Sequence, residues 1–374
     1  MPLYVGLMSG TSLDGLDAVL AQIDGTPAGL ALVVIAHHHA AFDDGLRADL
    51  LSLNRRGDDE LHRAAVATRR LTDLAAATVR RLLADAGVPA AQVRAIGSHG
   101  QTVRHRPPAA GIDVPYTIQL DDGAWLAELT GIDVVCDFRR RDLAAGGQGA
   151  PLVPAFHAAR FARPGHALAV LNVGGIANLT LLGARGDVAG FDCGPGNVLL
   201  DLWCERHTGR RYDDDGRWAD SGRPHAALLA ALLAEPYFAL PPPKSTGRDL
   251  FSADWLDAHL RAFAAVAPVD VQATLLALTA AAVGDALHRH APACERLVVC
   301  GGGAHNGALM KALAARLAGI EVVTSADAGL DPLHVEAAAF AWLAHAHLER
   351  QPGNRAEVTG ARGPRVLGAL YPAR

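Results

Sequence analysis

The residues best equipped for chemistry stand near the start of the chain, in Val5-Gly-Leu-Met-Ser-Gly-Thr-Ser-Leu-Asp-Gly-Leu-Asp-Ala-Val-Leu20. Two apolar runs flank a cluster of Gly, Ser, Thr and Asp, which reads as strand, tight turn, strand. Gly6, Gly10 and Gly15 let backbone N–H groups come close to a ligand. Ser9, Thr11 and Ser12 add hydroxyls, and Asp14 and Asp17 add carboxylates that phosphate alone would repel. Donors and acids in one turn fit a phosphate that arrives with a divalent cation, with Asp14 as the candidate metal ligand. The sequence has no G-x-x-x-x-G-K-[ST], so this is not the common P-loop. A Gly/Ser hairpin turn that binds nothing has the same composition.

Two more glycine turns follow apolar runs, one with Gly174, Gly175 and Asn178, the other with Gly301, Gly302, Gly303 and Asn306. Three such turns at corresponding strand ends point to a nucleotide cleft, approached from both sides. For 301–306 a plain strand-to-helix turn is the other reading. Phe191-Asp-Cys-Gly-Pro-Gly-Asn197 supplies the best acid. Asp192 ends a strand, and Gly194, Pro195 and Gly196 make a rigid corner before a helix with Asn197 at its N-cap. A carboxylate held there can act as general base or metal ligand, or simply cap the turn. No nearby His is visible to activate Cys193, which argues against a thiol nucleophile.

Other polar clusters are less specific. Arg139, Arg140 and Arg141 precede a glycine-rich loop, and Arg forks bind carboxylate or phosphate; a solvated basic loop reads the same way. Gly97-Ser-His-Gly-Gln-Thr102 gathers His99 and Gln101, which sugar hydroxyls or the loop itself could use. Lys244-Ser-Thr-Gly-Arg248 is a weak anion-binding turn. His37-His38-His39 makes a poor metal site, because adjacent side chains on a strand face opposite ways.

The elements that must position these groups follow from hydrophobic period. Residues 3–8, 17–24 and 30–37 read as strands, and 58–86 as a long helix. A strand at Val93–Ile96 and a helix over about 123–129 complete the first third. Residues 167–182 then repeat the opening pattern of apolar run, Gly/Asn turn and apolar run. A strand at 188–191, a helix from 198, helices near 225–235, 254–264 and 270–290, strands at 296–300 and 321–324, and a last helix over 334–348 follow. This is an α/β pattern, with two lobes each opened by a strand–Gly turn–strand hairpin and facing each other across a cleft.

Composition sets the outer bounds. With 374 residues and half of them hydrophobic, two domains with sizeable cores are expected. A net charge of −5 argues against a general polyanion binder, so no nucleic-acid partner is expected. The five cysteines form no C-x-x-C pair and suit reduced thiols. The longest apolar runs, such as Gly29–Ala36, fall well short of the ~20 residues that cross a bilayer. With no signal-like start, a soluble cytoplasmic protein without a membrane partner is expected.

Together these motifs resemble the anhydro-N-acetylmuramic acid kinase family over nearly the whole chain. The resemblance rests on Gly6–Asp17, Gly97–Thr102, Thr130–Arg139, Ala145–Pro154, Asn172–Asn178, Phe191–Asn197, Lys244–Arg248 and Gly301–Asn306. It implies the two-lobed actin/Hsp70/sugar-kinase (RNase H-like) fold that closes on Mg-ATP. It divides the chain into an N-terminal lobe, 1–130, completed by 350–374, and a second lobe, 131–349. The implied reaction adds water to open the internal 1,6-anhydro ring of anhydro-N-acetylmuramic acid and phosphorylates O6 with ATP. The product is N-acetylmuramic acid 6-phosphate, a step in cell-wall recycling.

By the same resemblance Asp192 is the catalytic base and Glu336 an acidic catalytic residue. Gly10, Thr11, Ser12, Asp14, Gly15 and Asp17 line the phosphates, with Gly174, Gly175 and Asn178. Gly301, Gly302, Gly303 and Asn306 approach the adenosine. His99, Gln101, Arg139, Arg140 and Asn197 are substrate-binding candidates, the arginines for the lactyl carboxylate. Homodimerisation is a family expectation. The chain departs from the family pattern at Asp121, where Gly is expected, and at His334, where an aromatic is common. Two rivals remain at this point: another sugar kinase or phosphatase of the superfamily, and a regulatory ATP-binding module that needs no positioned base.

Overall fold

The computed structural model describes residues 1–10, 13–26, 29–108 and 112–373. The chain forms two compact units, Met1–Arg160 with His334–Arg374, and Phe161–Leu333.

In the first unit the strands are β1 (Leu3–Met8), β2 (Gly15–Asp24), β3 (Ala31–Ala41), β4 (Val93–Ser98), β5 (Gln101–Arg106), β6 (Tyr116–Leu120), β7 (Val134–Cys136) and β13 (Ala369–Tyr371). Six of them make a sheet in the order β13-β7-β4-β1-β2-β3, while β5 and β6 form a separate ribbon. β2 pairs antiparallel with both β1 and β3, whereas β1, β4 and β7 run parallel. The apolar run Tyr4–Leu7 is wholly buried, as a central strand covered on both faces must be. The helix Glu60–Ala86 lays Leu71, Ala75, Val79 and Leu82 into the core and stops at Gly87 in a left-handed C-cap.

The second unit contains β8 (Leu168–Val173), β9 (Ile176–Leu182), β10 (Val188–Pro195), β11 (Arg296–Cys300) and β12 (Glu321–Thr324), in the order β10-β9-β8-β11-β12. Again three strands form an antiparallel meander, and two more extend the first of them in parallel. The order β3-β2-β1-β4-β7 and the order β10-β9-β8-β11-β12 are therefore one topology used twice. This duplicated α/β core agrees with the two-lobed pattern expected from the sequence, and the echo between residues 5–20 and 167–182 is its sequence trace. The helix Pro268–His290 is long and apolar enough to cross a membrane, but most of it is buried in this unit's core.

The unit boundaries differ from the 1–130, 131–349 and 350–374 division expected from the sequence. Residues 131–160 stay with the first unit because β7 pairs with β4. The helix Val335–Leu348 also belongs there, because it packs on β1, β2 and β4. That packing is unusually close. A Cβ on Gly6 would lie 1.9 Å from the Ala337 carbonyl oxygen, and one on Gly97 would lie 2.0 Å from that of Phe340. Backbone meets backbone at both points, so no side chain can give way. Elements missing from the sequence reading include the helix Asp44–Ser52, the β5–β6 ribbon, β7, the helices Arg140–Ala144 and Val153–Phe161, and β13.

The substitution Gly97→Ala should therefore lower stability by roughly 1–3 kcal/mol through overpacking. Urea unfolding checks this: the midpoint should fall while the slope stays unchanged.

Candidate active site

In the first unit the sequence candidates gather around the ends of β1 and β4. The loop after β4 is tied to β1 by the His99 N–H, which donates to the Leu7 carbonyl at 3.1 Å. The Ser9 hydroxyl donates to the Gly100 carbonyl at 3.2 Å, joining the glycine turn to the same loop. Gly100 has φ +68°, and a Cβ there would strike the Leu120 carbonyl oxygen at 2.6 Å. Only glycine fits this crossing.

Arg139 reaches into this cluster. Its Nη2 lies 2.9 Å from His99 Nε2, and its Nη1 donates to the Gly149 carbonyl at 2.9 Å. A guanidinium can only donate, so His99 Nε2 must accept, which fixes the proton on Nδ1. Burial, and then the Arg139 charge, push the His99 pKa down to about 3, so the ring stays neutral. Burial lowers Arg139 to about 10, opposed by the Glu336 and Asp142 carboxylates. Arg139 thus remains a cation at neutral pH, with Glu336 as one of its counter-charges. Gln101 is buried and its Oε1 has no protein partner. Arg140, by contrast, is exposed, with Asp137 3.5 Å away. The three arginines are divided because the helix Arg140–Ala144 begins between them.

On the opening hairpin, Asp14 is exposed and Gly15 begins β2, where a Cβ would meet the Ala40 carbonyl oxygen at 2.5 Å. Thr11 and Ser12 lie outside the described residues. Asp17 Oδ1 accepts from His37 Nε2 and His39 Nδ1, each at 3.0 Å. Those hydrogen bonds outweigh burial and hold Asp17 below its ordinary pKa, while the bond to Asp17 raises His39. The two histidines, read as strand residues of no special role, are the neighbours that keep Asp17 ionised. His334 stacks on His37 at 4.4 Å. The unexpected Asp121 keeps a buried Oδ2 without a partner, and burial raises its pKa to about 6.

In the second unit three loops converge on the end of β8. The N–H of Asn197 donates to the Gly174 carbonyl at 2.8 Å, and those of Gly196 and Val198 donate to Gly175. Asn197 Nδ2 donates to the Val173 carbonyl at 3.2 Å. So Asn197 sits at the start of the helix Val198–Thr208, as expected, but its side chain ties loops together and does not cap. Gly301, at φ +77°, comes so close to Asn172 and Val173 that a Cβ would overlap both, and a Cβ on Gly303 would strike Val173 at 2.3 Å. Gly174 and Gly302 are different. A Cβ there would meet nothing nearer than 3.8 and 3.7 Å. Their own chain leaves room beside them, as a cradle for a bound group requires. Asn306 caps the helix Gly307–Arg316 by accepting from the Leu309 N–H at 2.9 Å.

Asp192 stands on β10 opposite Asn178 of β9, where the register shifts between Asp192 and Gly194 and Cys193 bulges. Bulges re-aim side chains in this way beside active sites. Asp192 Oδ2 accepts one backbone hydrogen bond, from Thr246 at 2.9 Å. Its main chain is clamped by the Lys244 carbonyl at 3.2 Å and by the Tyr237 hydroxyl at 2.8 Å. Burial raises its pKa to about 6, against the Thr246 hydrogen bond and the Lys244 charge. The Thr246 hydroxyl beside it is buried and unpartnered. Burial also raises the Cys193 thiol, which keeps it protonated and unreactive. Sequence reading missed the part of Thr246, Tyr237 and Lys244 in holding Asp192; the Lys244–Arg248 motif was its only signal.

The comparisons decide the family. Residues 2–373 match the family model described as anhydro-N-acetylmuramic acid kinase. A protein of that name from Variovorax paradoxus (strain S110) is 57% identical over 377 residues, covering 99% of each chain. One from Bordetella petrii is 60% identical over 374 residues, covering 99% of this chain and 96% of the relative. The chain belongs to the anhydro-N-acetylmuramic acid kinase family. Solved structures align along most of their length at low similarity. An activator of 2-hydroxyisocaproyl-CoA dehydratase from Clostridium difficile, with bound ADPNP, has a TM-score of 0.47 at 10% identity, covering 93% of this chain and 96% of that one. A ROK family glucokinase from Streptomyces griseus, in complex with glucose and AMPPNP, has a TM-score of 0.39 at 17% identity, covering 91% and 99%.

The electrostatics of this family member give a stability test. Asp192 is protonated more readily when folded than when unfolded. Its cost is therefore absent below about pH 4, grows as the pH rises, and is complete above about pH 6. Asp192→Asn should match the parent near pH 4 and exceed it by about 1–3 kcal/mol at pH 8. Thermal melts of both proteins across that range check the sign.

Proposed function

We propose that this kinase uses Asp192 to take a proton from water as the water attacks C1 of anhydro-N-acetylmuramic acid. Opening the anhydro ring by hydrolysis ordinarily needs two carboxyl groups, a base for water and an acid for the leaving oxygen. Here O6 leaves C1 and takes the γ-phosphoryl group of ATP, so the phosphoryl transfer stands in for the acid. The balance is complete: the C1–O6 bond breaks, a C1–O bond to water forms, Asp192 takes the proton, and O6 gains phosphate as ADP departs. The products are N-acetylmuramic acid 6-phosphate and ADP.

The observation that carries this reading is the state of Asp192: half-buried, fixed by one N–H donor, with a pKa near 6. A base near the working pH is mostly unprotonated and still accepts a proton. The donors in the structure also fit the implied groups. Gly174 and Gly302 leave space at the start of the helix Val198–Thr208, where backbone N–H groups and the helix dipole favour phosphate. The described residues hold no group of three or more metal-ligating side chains, and magnesium asks for only one or two carboxylates beside phosphate oxygens. Asp14 is exposed on the hairpin turn and would be that ligand, with Asp17 held ionised behind it by His37 and His39. When bound, magnesium neutralises charge on the phosphates.

Gly10, Thr11, Ser12, Gly15, Gly175 and Asn178 complete the proposed phosphate set, and Gly301, Gly303 and Asn306 the adenosine set. Arg139 would take the lactyl carboxylate, with neutral His99 and Gln101 offering hydrogen bonds to the sugar and Glu336 setting the local charge. Arg140 and Asn197 are carried with lower claim: one is exposed and the other spends its amide on Val173. A cytoplasmic homodimer in peptidoglycan recycling completes the proposal.

Incubation with Mg-ATP and anhydro-N-acetylmuramic acid, read by mass spectrometry, should give the sugar 6-phosphate with the parent. Asp192→Asn should lower kcat by about 10²–10⁴, the range for losing a general base. Equal turnover by both would remove Asp192 from the role. The parent kcat/KM should fall on the acid side with a midpoint near 6, because the base must be unprotonated. In ¹⁸O-labelled water the label should enter C1; label in the phosphate would mean that O6 is not the acceptor.

A further inference from the structure

The second unit has a cavity that none of the roles above uses. It measures about 200 Å³ and lies against the helix Pro268–His290 and the short turn Pro236–Ala239. Each water needs roughly 10–15 Å³ of such space, so a polyatomic ion fits. Leu233, Phe238, Ala282 and Ala286 line its apolar wall, and Lys244, Arg289 and His290 bring basic groups to it.

The charge balance of the lining is uneven. Both acids that line it are already committed. Glu235 accepts from the Trp255 indole at 2.9 Å and from the Tyr237 N–H at 3.4 Å. Asp285 is paired with Arg316. The cations have no such partners. Lys244 Nζ donates only to the Tyr237 and Phe238 carbonyls, at 3.2 and 3.4 Å, and Arg289 Nη1 to the Phe238 carbonyl at 3.2 Å. Among the described residues neither has an ion-pair partner. Their charges oppose one another: burial first, and also Arg289, lower Lys244, against Cys193 and Asp192, which raise it, while burial, Arg289 and Lys244 lower His290. Like charges that crowd a cavity with no carboxylate within ion-pair distance of them are stabilised by an anion brought from solution.

We propose that this cavity is an anion site for a tetrahedral phosphate group, either free phosphate or the phosphate of a small monoester, held by Lys244 and Arg289. A phosphate accepts hydrogen bonds from several sides, which matches donors arriving from the 244 loop and from the end of the helix. The Arg289 fork can take two oxygens and the Lys244 ammonium a third. The Asp192 carboxylate does not line the cavity, although its neighbour Cys193 does and Lys244 acts on its charge.

Thermal melts of the full chain test this, with saturating Mg-ADP to occupy the nucleotide site and constant ionic strength made up with chloride. Inorganic phosphate and N-acetylmuramic acid 6-phosphate are titrated separately. The expected result is a saturable rise in Tm, with apparent affinity weakened roughly tenfold or more in Arg289→Gln, the scale of one lost charged hydrogen bond. Arg289→Glu, which supplies Lys244 with a carboxylate, should abolish it. Arg289 is exposed, so both variants should fold; Ala234→Phe, on the rim, blocks the mouth without touching a charge. A rise with both titrants names free phosphate as sufficient, and a rise with the sugar phosphate alone names the monoester. No saturable rise, or an equal rise in all three variants, overturns the proposal. The readout is binding without turnover, so it stands apart from the role given to Asp192.

Discussion

The contact on which the first unit depends is backbone against backbone, where the helix Val335–Leu348 rests on β1 and β4 through Gly6 and Gly97. No side chain separates these elements, so the helix has little freedom to slide or rotate. Phe340 then sits 4.7 Å from the His99 ring, and Glu336 stands near enough to act on the Arg139 charge. The polar cluster of this unit inherits its precision from that contact. It also explains why this helix is rich in alanine: Ala337, Ala338, Ala341 and Ala344 are all buried against the sheet, where larger side chains would hold it away.

A different constraint governs the second unit. Asp192 could have been made comfortable with two or three N–H donors, and its pKa would then have fallen. The structure gives it one, at the edge of a bulge, and lets burial dominate. The carboxylate is therefore poorly stabilised as an anion, which is what makes it able to accept a proton near neutral pH. Its rigidity comes from elsewhere, through its main chain, which Lys244 and Tyr237 hold. Position and protonation are thus set by separate contacts, and the stability lost to the buried charge is the counterpart of its basicity.

Much of this was legible in the sequence. Strand–Gly turn–strand signals at 5–20 and 167–182 mark the hairpins that begin both sheets, because apolar runs and glycines report local geometry directly. Asp192 was legible only in part: the sequence ends its strand there and makes Gly194-Pro195-Gly196 a corner, whereas β10 runs on to Pro195 with a bulge at Cys193. Three kinds of information were not. The unit boundary at Arg160 depends on β7 pairing with β4, a contact that local pattern does not encode. The splitting of Arg139 from Arg140 depends on where one short helix begins. The bracketing of Asp17 by His37 and His39 depends on β2–β3 register, which pairs Asp17 with His39. Alternation along β3 sends His37 and His39 to one face and His38 to the other. That alternation, used to discount a metal site, is what lets two histidines share one carboxylate.

The treatment of charge separates the two units more sharply than their shared topology does. In the first, Arg139 faces a histidine that must stay neutral, and Asp17 is kept ionised by two that offer it protons. Both of those charges are held ionised, whereas Asp121 in the same unit is raised by burial to about 6 and His39 is raised by its bond to Asp17. In the second, Asp192 alone among the proposed reacting groups titrates close to neutral pH. A transfer that moves one proton and one phosphoryl group needs only one site able to change protonation state. Every other charge serves better if it is constant through the cycle, because a group that titrates would scatter binding energy over several forms. In the second unit the proposed base is poised by burial, and in the first Arg139 and Asp17 keep their charges, which is the contrast that the proposed reaction would use.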